Sequence, residues 1–152
     1  MKSSSQLPIP PPVLAVALLA TAGVIAAFLP AASISIPMHL AIGILFVALG
    51  FGIAGAAFAT FKRFGTPVRP GANPTHFVVT GPYRVTRNPM YLGLLTFLVG
   101  CFFVSESLYF LIPPALFFLM INFRQIPFEE RLLVDRFGEA YEAYRKQVRR
   151  WI

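Results

Sequence analysis

Four apolar runs alternate with short polar stretches along the chain. Val13 to Leu29 is uncharged and apolar, and residues 38–61 form a second such run. Residues 89–104 and 108–123 form a third and a fourth, separated by the tight polar turn Ser105-Glu106-Ser107. Each run is close to the length a helix needs to cross the roughly 30 Å hydrocarbon core of a bilayer. Beyond residue 126 the periodicity changes. Leu133, Phe137, Tyr141, Tyr144 and Val148 recur at helical spacing, which predicts an amphipathic helix over 127–150. Pro127 suits its first turn, Glu142 and Lys146 form a favourable i,i+4 pair, and Gly138 interrupts the pattern, where the helix can split into two. The expected fold is all-α: a polytopic membrane protein with about four transmembrane helices and a C-terminal amphipathic helix. Residues 1–152 read as one domain, with two N-terminal spans in 1–61 and the chemistry-bearing half in 62–152.

The polar stretches differ from one another. Residues 1–12 read as a loose, Pro-rich tail in which Pro10, Pro11 and Pro12 keep a helix from starting earlier. Residues 62–88 hold Lys62, Arg63, Arg69, Arg84 and Arg87 and no acid. Pro67, Pro70, Pro74 and Pro82, with Gly65, Gly71 and Gly81, exclude a long helix there, so this is a long irregular loop. Pro113-Pro114 falls in mid-run and predicts a kink, which either opens a cleft or is a tolerated bend. Gly50-Phe51-Gly52-Ile53-Ala54-Gly55 matches the dinucleotide pattern G-x-G-x-x-G. That pattern needs a strand before it and a helix after it. Inside an uncharged apolar run, small residues that let membrane helices approach closely explain it better.

Composition supports a membrane protein. The chain is 57% hydrophobic and 12% charged, with a mean hydropathy of +0.70, whereas soluble domains carry roughly a quarter charged residues. Lys and Arg number 13 against 6 Asp and Glu, a net charge of +7. A pI near 10.2 would raise nucleic acid as a partner on a soluble protein. Here every Lys and Arg lies in the tail, the 62–88 loop or the C-terminal segment, while the links 30–37 and 105–107 carry only Glu106. The positive-inside rule then puts both termini in the cytoplasm; the expected location is a bacterial or archaeal inner (plasma) membrane, and no nucleic-acid partner is expected. Cys101 sits within an apolar run, and His39 and His76 lie far apart, so neither a disulfide framework nor a metal site is expected.

The candidate chemistry begins at Gly81-Pro82-Tyr83-Arg84-Val85-Thr86-Arg87-Asn88-Pro89-Met90-Tyr91-Leu92-Gly93. Two arginines, two tyrosines and an Asn here exceed what a turn at a membrane surface requires. This stretch reads as one wall of a binding site for a polar cofactor, and the last quarter of the chain as the other. On a helical wheel Glu130 falls on the face of Leu133, Phe137, Tyr141 and Val148, and Glu129 lies about 100° away. A carboxylate on an apolar face is costly unless paired or used. Glu130 would bind a ligand cation, pair with Arg87, or act as a base. As bland alternatives, the arginines are topology-setting interfacial cations and the glutamates are helix N-terminal acids.

Gly81-Pro82-Tyr83-Arg84, Arg87-Asn88-Pro89-Met90-Tyr91-Leu92-Gly93, and later Glu129-Glu130 with Leu132, Phe137-Gly138, Tyr141 and Tyr144, together resemble the signature of a membrane methyltransferase group. It is the isoprenylcysteine carboxyl methyltransferase and phosphatidylethanolamine N-methyltransferase group, and the likeness covers roughly residues 61–152. The group often has Arg-His-Pro where this chain has Arg87-Asn88-Pro89, and Asn cannot shuttle protons near neutral pH. The resemblance implies S-adenosylmethionine (SAM) as methyl donor at the cytoplasmic face and a lipid-like acceptor from the bilayer. Arg87 and Glu130 are the implied catalytic residues. Gly81, Tyr83, Arg87, Asn88, Tyr91, Gly93, Glu129 and Glu130 are the implied cofactor contacts: Arg87 for a carboxylate, the tyrosines for adenine or ribose, and the glycines for close backbone approach. The C-terminal segment is expected to close over the cofactor. Arg87 favours a carboxylate acceptor and Glu130 an amine acceptor. An NADPH-dependent sterol-reductase-like enzyme and a non-enzymatic membrane scaffold are the competing readings.

Overall fold

Uncharged runs become helices because, without water, each backbone N–H must find its carbonyl within the same segment. In the computed structural model, which describes residues 7–65 and 77–152, α1 (Pro11–Phe28), α2 (His39–Arg63) and α3 (Pro89–Ser105) occupy the first three runs. A 3-10 turn, Leu108–Leu111, leads into α4 (Ile112–Met120). A π segment, Ile121–Gln125, joins α4 to α5 (Ile126–Phe137), and α6 (Glu139–Gln147) follows Gly138. Among the described residues there is no strand, only an isolated bridge between Ser33 and Ser107. Residues 1–6 and 66–76, with Arg69, Pro67, Pro70, Gly71, Pro74 and His76, lie outside the described residues.

Among the described residues, three helical stretches are long and apolar enough to cross a membrane: Pro11–Phe28, His39–Arg63 and Leu108–Phe137. The helix Pro89–Ser105 is also apolar but only 17 residues long.

The local backbone adds detail to the sequence pattern in three places. Pro113-Pro114 does not fall inside an α-helix already under way. Both prolines sit in the first turn of α4, where a missing N–H costs no helical bond. The irregularity falls later, in the π segment. The amphipathic stretch over 127–150 does split at Gly138, which adopts φ 50°, ψ −124°, but the chain leaves the helix after Gln147, short of residue 150. The tail is not loose throughout. Leu7 is buried, and its N–H donates to Gln125 Oε1 at 3.1 Å.

α2 packs chiefly along α3, and glycines set their spacing. A Cβ on Gly50 would lie 2.7 Å from the Gly93 carbonyl oxygen, and one on Gly100 would lie 2.7 Å from the Val47 nitrogen. Within the 50–55 pattern only Gly50 has this role; Gly52 and Gly55 face open space. The core lies where α1, α3, α4 and the π segment converge, around Leu14, Leu98, Phe117 and Ile121.

The links 30–37 and 105–108 meet at one end of the molecule. Ile34 N–H donates to the Glu106 carbonyl at 2.9 Å and Leu108 N–H to the Ala32 carbonyl at 2.8 Å. The opposite end gathers the Gly81–Arg84 turn, the start of α3, the π segment, α5 and α6.

Candidate active site

The first block is held in place by its own short-range geometry. Gly81, at φ +60°, opens a 3-10 turn in the left-handed region that glycine favours, with its Cα facing Thr60. The turn drives Tyr83 into the core, with its ring 5.0 Å from that of Phe61. The Tyr83 carbonyl accepts from Tyr144 Oη–H at 2.6 Å. Asn88 precedes α3 without capping it. Its Nδ2 donates instead to the Arg150 carbonyl at 2.9 Å, beside Thr86 Oγ1, which donates to the same oxygen at 3.0 Å. The Arg87 N–H donates to the Arg149 carbonyl at 2.9 Å. The backbone of the C-terminal segment thus receives three donors from Thr86, Arg87 and Asn88.

The side chains at the centre form an ion triad. Arg87 Nη1 lies 2.9 Å from Glu130 Oε1, and the two side chains are only 11% and 12% exposed. Arg150 approaches Glu130 from the other side, with Nη2 at 2.8 Å from Oε2 and Nε at 3.3 Å from Oε1. Arg87 Nη1 also donates to Tyr141 Oη at 3.3 Å. Arg150 Nη1 and Trp151 Nε1 both donate to Asn122 Oδ1, at 3.3 and 3.0 Å. Arg87 Nε is buried and has no hydrogen-bond partner among the described residues.

Glu129 belongs to a different network. Its Oε1 accepts from Tyr91 Oη–H at 2.6 Å and from Gln125 Nε2 at 2.7 Å. Adjacent residues on one helix point about 100° apart, so the two carboxylates serve separate clusters. The structure therefore brings Arg87, Asn88 and Glu130 together, with Tyr91 and Glu129 as a neighbouring pair. Tyr83 is occupied as a core residue. Gly93 faces Gly50 and Ala54 of α2, where close approach serves helix packing.

Sequence reasoning missed Arg150, Asn122 and Gln125. Arg150 reads as one of several terminal cations, with nothing in its spacing to single it out. Gln125 carried a usable signal, because an uncharged polar residue at the end of an apolar run is expected to have a partner.

An open groove of about 550 Å³ is lined by Phe77, Val79, Arg84, Tyr144, Gln147 and Val148 among others, and by none of Arg87, Glu130 and Arg150. Ligand sites usually measure roughly 300–1,000 Å³. Phe77 stacks on Phe137 and meets Tyr141 and Tyr144 edge-on. Burial raises the Tyr83 and Tyr141 phenols above their ordinary range; Glu130 raises Tyr141 further and Arg87 opposes it. Burial, aided by Tyr141 and opposed by Arg87, takes Tyr144 from 10.0 up to about 12. A raised folded-state pKa gives a contribution that is complete below pH 10.0 and is lost as pH climbs through about 12. Between those values the thermal midpoint of wild type is expected to fall more steeply than that of Tyr144→Phe, as scanning fluorimetry in detergent would show. Parallel curves would mean that Tyr144 ionises alike in both states.

Known proteins give two points of comparison. The family model described as phospholipid methyltransferase matches residues 38–140, about two-thirds of the chain. A stretch of 64 residues, 41% of this chain, is 41% identical to the whole of an uncharacterized protein of Haemophilus influenzae (strain ATCC 51907 / DSM 11121 / KW20 / Rd). No solved structure matches. The matched span runs from α2 to the start of α6 and takes in Arg87, Asn88, Tyr91, Glu129 and Glu130, so the chain belongs to the phospholipid methyltransferase family.

Proposed function

We propose that this integral membrane protein transfers a methyl group from SAM to a lipid-like acceptor at the cytoplasmic face of the membrane. The observation that carries this reading is the Arg87 side chain. It is buried and paired through Nη1, yet its Nε–H has no acceptor among the described residues. An unmade buried donor costs about 1–3 kcal/mol. A carboxylate entering the site would accept that hydrogen bond, and SAM carries one, so the residues present fit the cofactor. When bound, SAM supplies an electrophilic methyl group on a sulfonium whose charge is lost on transfer.

The chain's own residues bind and orient. Arg87 holds the carboxylate, and Glu130 with Tyr141 fixes the guanidinium plane so that Nε is presented. Gly81, Tyr83, Asn88, Tyr91, Gly93 and Glu129 frame the site: Tyr91 and Glu129 lock α3 to α5, and Asn88 ties the start of α3 to the C-terminal segment. The groove lined by Phe77, Arg84 and Tyr144 is the room this reading assigns to the rest of the ligand. Because both Glu130 oxygens are held by guanidinium groups, Glu130 acts as an orienting anion and not as a base. That favours an acceptor already nucleophilic without deprotonation, such as a carboxylate, over an amine. Displacement at a methyl group depends on alignment, so positioning carries much of the rate.

The orientation follows from charge. α3 is 17 residues, about 26 Å of helix, which suffices for a fourth span when the bilayer thins slightly. Four spans place the basic end, with the triad, in the cytoplasm.

Calorimetric titration of SAM and of its demethylated product into detergent-purified protein tests this reading. Wild type is expected to bind both, and Arg87→Ala to lose at least about tenfold in affinity, the loss of one charge-assisted pair. Folded wild type that binds neither ligand would overturn the reading, and NADPH binding in its place would favour the reductase alternative.

A further inference from the structure

Arg150 lies beyond residues 38–140 that match the family model and outside both signature blocks, yet it makes the closest contact to Glu130. We infer that Arg150 is a positioning residue for the cofactor site, acting through Glu130 on Arg87; the inference rests on the SAM-binding reading above. The geometry is that of a clasp. The Arg150 guanidinium forks onto Glu130 through Nη2 and Nε and reaches Asn122 through Nη1. Its carbonyl receives Thr86 and Asn88, and the neighbouring Arg149 carbonyl receives the Arg87 N–H. Trp151 closes the far side against Phe118 and Asn122. The clasp therefore grips the residues on both sides of Arg87, the π segment and α5 at once.

The consequence concerns the orientation of one donor. A free carboxylate and a guanidinium prefer a two-pronged pairing. Here Glu130 gives Arg87 only Oε1, because Oε2 is taken by Arg150. Arg87 is thereby held through Nη1 alone, and Nε stays unmade. Without Arg150, Glu130 is free to pair with Arg87 through both oxygens, and a turn of the guanidinium that presents its Nη2–Nε edge lets that pairing satisfy Nε internally. The ligand carboxylate would then compete with a residue of the chain itself. The cluster's charge points the same way: two guanidiniums and one carboxylate leave a net positive site, whereas loss of Arg150 leaves it neutral. Arg150 thus keeps the site open and cationic without touching the ligand.

A double-mutant cycle on full-length protein in detergent decides this, with the demethylated product as probe and the thermal midpoint followed in parallel. Arg150→Ala is expected to weaken product binding about tenfold. Arg150→Lys should recover part of that loss, since an ammonium restores the charge but cannot fork. In a Glu130→Gln background, removal of Arg150 should cost almost nothing further, because the residue it acts through is already neutral. An equal fold-loss in both backgrounds would show Arg150 to be merely structural and overturn the inference. So would wild-type affinity in folded Arg150→Ala. If Arg150→Ala does not fold, the same cycle run with Arg150→Lys separates the same two outcomes. Wild type that binds no product fails at the first step, and that result rejects the SAM reading and this inference together.

Discussion

Replacing Glu130 by Ala is expected to destabilise the protein by about 3–5 kcal/mol, more than any other single change at the triad. Two guanidiniums share this carboxylate. Among the described residues, removing it leaves Arg87 buried at 11% exposure with only Tyr141 as a side-chain partner, and Arg150 with only Asn122. Removal of Arg87 is less severe. Glu130 then keeps the two-pronged contact with Arg150, and the Arg149 carbonyl still accepts the backbone N–H at position 87. A loss of about 1–2 kcal/mol suits a charged hydrogen bond whose partner retains another. Glu130→Gln should lie between the two, since its amide oxygen still serves one cation. Unfolding in mild detergent, followed by circular dichroism, orders the three variants. An Arg87→Ala protein less stable than Glu130→Ala would show that Glu130 is not the shared counter-ion.

The helical architecture is readable in the sequence because a bilayer leaves the backbone little choice. An uncharged run of sufficient length must close its hydrogen bonds internally, and α1, α2 and α3 begin and end within three residues of the apolar runs. The candidate pair Arg87 and Glu130 was legible on narrower ground: within α5 Glu130 shares a face with Leu133 and Phe137 and needs a cation, whereas the wheel's extension to Tyr141 and Val148 fails because Gly138 breaks the helix and Val148 lies beyond it. Local backbone choices were less so. Pro113-Pro114 looks like a kink when only the apolar run is counted. The run in fact starts as a 3-10 turn, so the prolines fall where a new α-helix begins. The π segment adds one residue to a turn to seat Gln125 against Leu7 and Glu129, and no periodicity announces that. Arg150 was hidden for a different reason. Its role depends on the chain leaving the helix after Gln147 and doubling back past Asn88, a tertiary event with no local signature. Tyr83 and Gly93 carry the converse lesson. A motif residue can belong to the site's frame, and in the structure both support the helices that present Arg87.

Substituting Gly93 by Ala is expected to lower stability by an amount at or above the upper end of the roughly 1–3 kcal/mol typical of overpacking. The added Cβ would sit 2.7 Å from the Ala54 nitrogen, 2.7 Å from the Gly50 carbonyl oxygen and 2.8 Å from the Ala54 Cβ. Backbone atoms cannot rotate aside, so α2 and α3 must separate. Separation is costly because lipid tails are as apolar as the helices, and close packing is what holds membrane helices together. Gly50→Ala meets the same contact from the other side, with its Cβ 2.7 Å from the Gly93 carbonyl. Each variant alone should therefore push the helices apart, and the pair should cost less than the sum. Gly52→Ala and Gly55→Ala, which face open space, should not lower the thermal midpoint. The effect should also reach the site. α3 starts at Pro89, directly after Arg87 and Asn88, so tilting α3 away from α2 drags the first block from the C-terminal carbonyls that hold it. Product affinity should fall together with the midpoint in Gly93→Ala. A Gly93→Ala protein that melts like wild type would mean that α2 and α3 are not in glycine-limited contact.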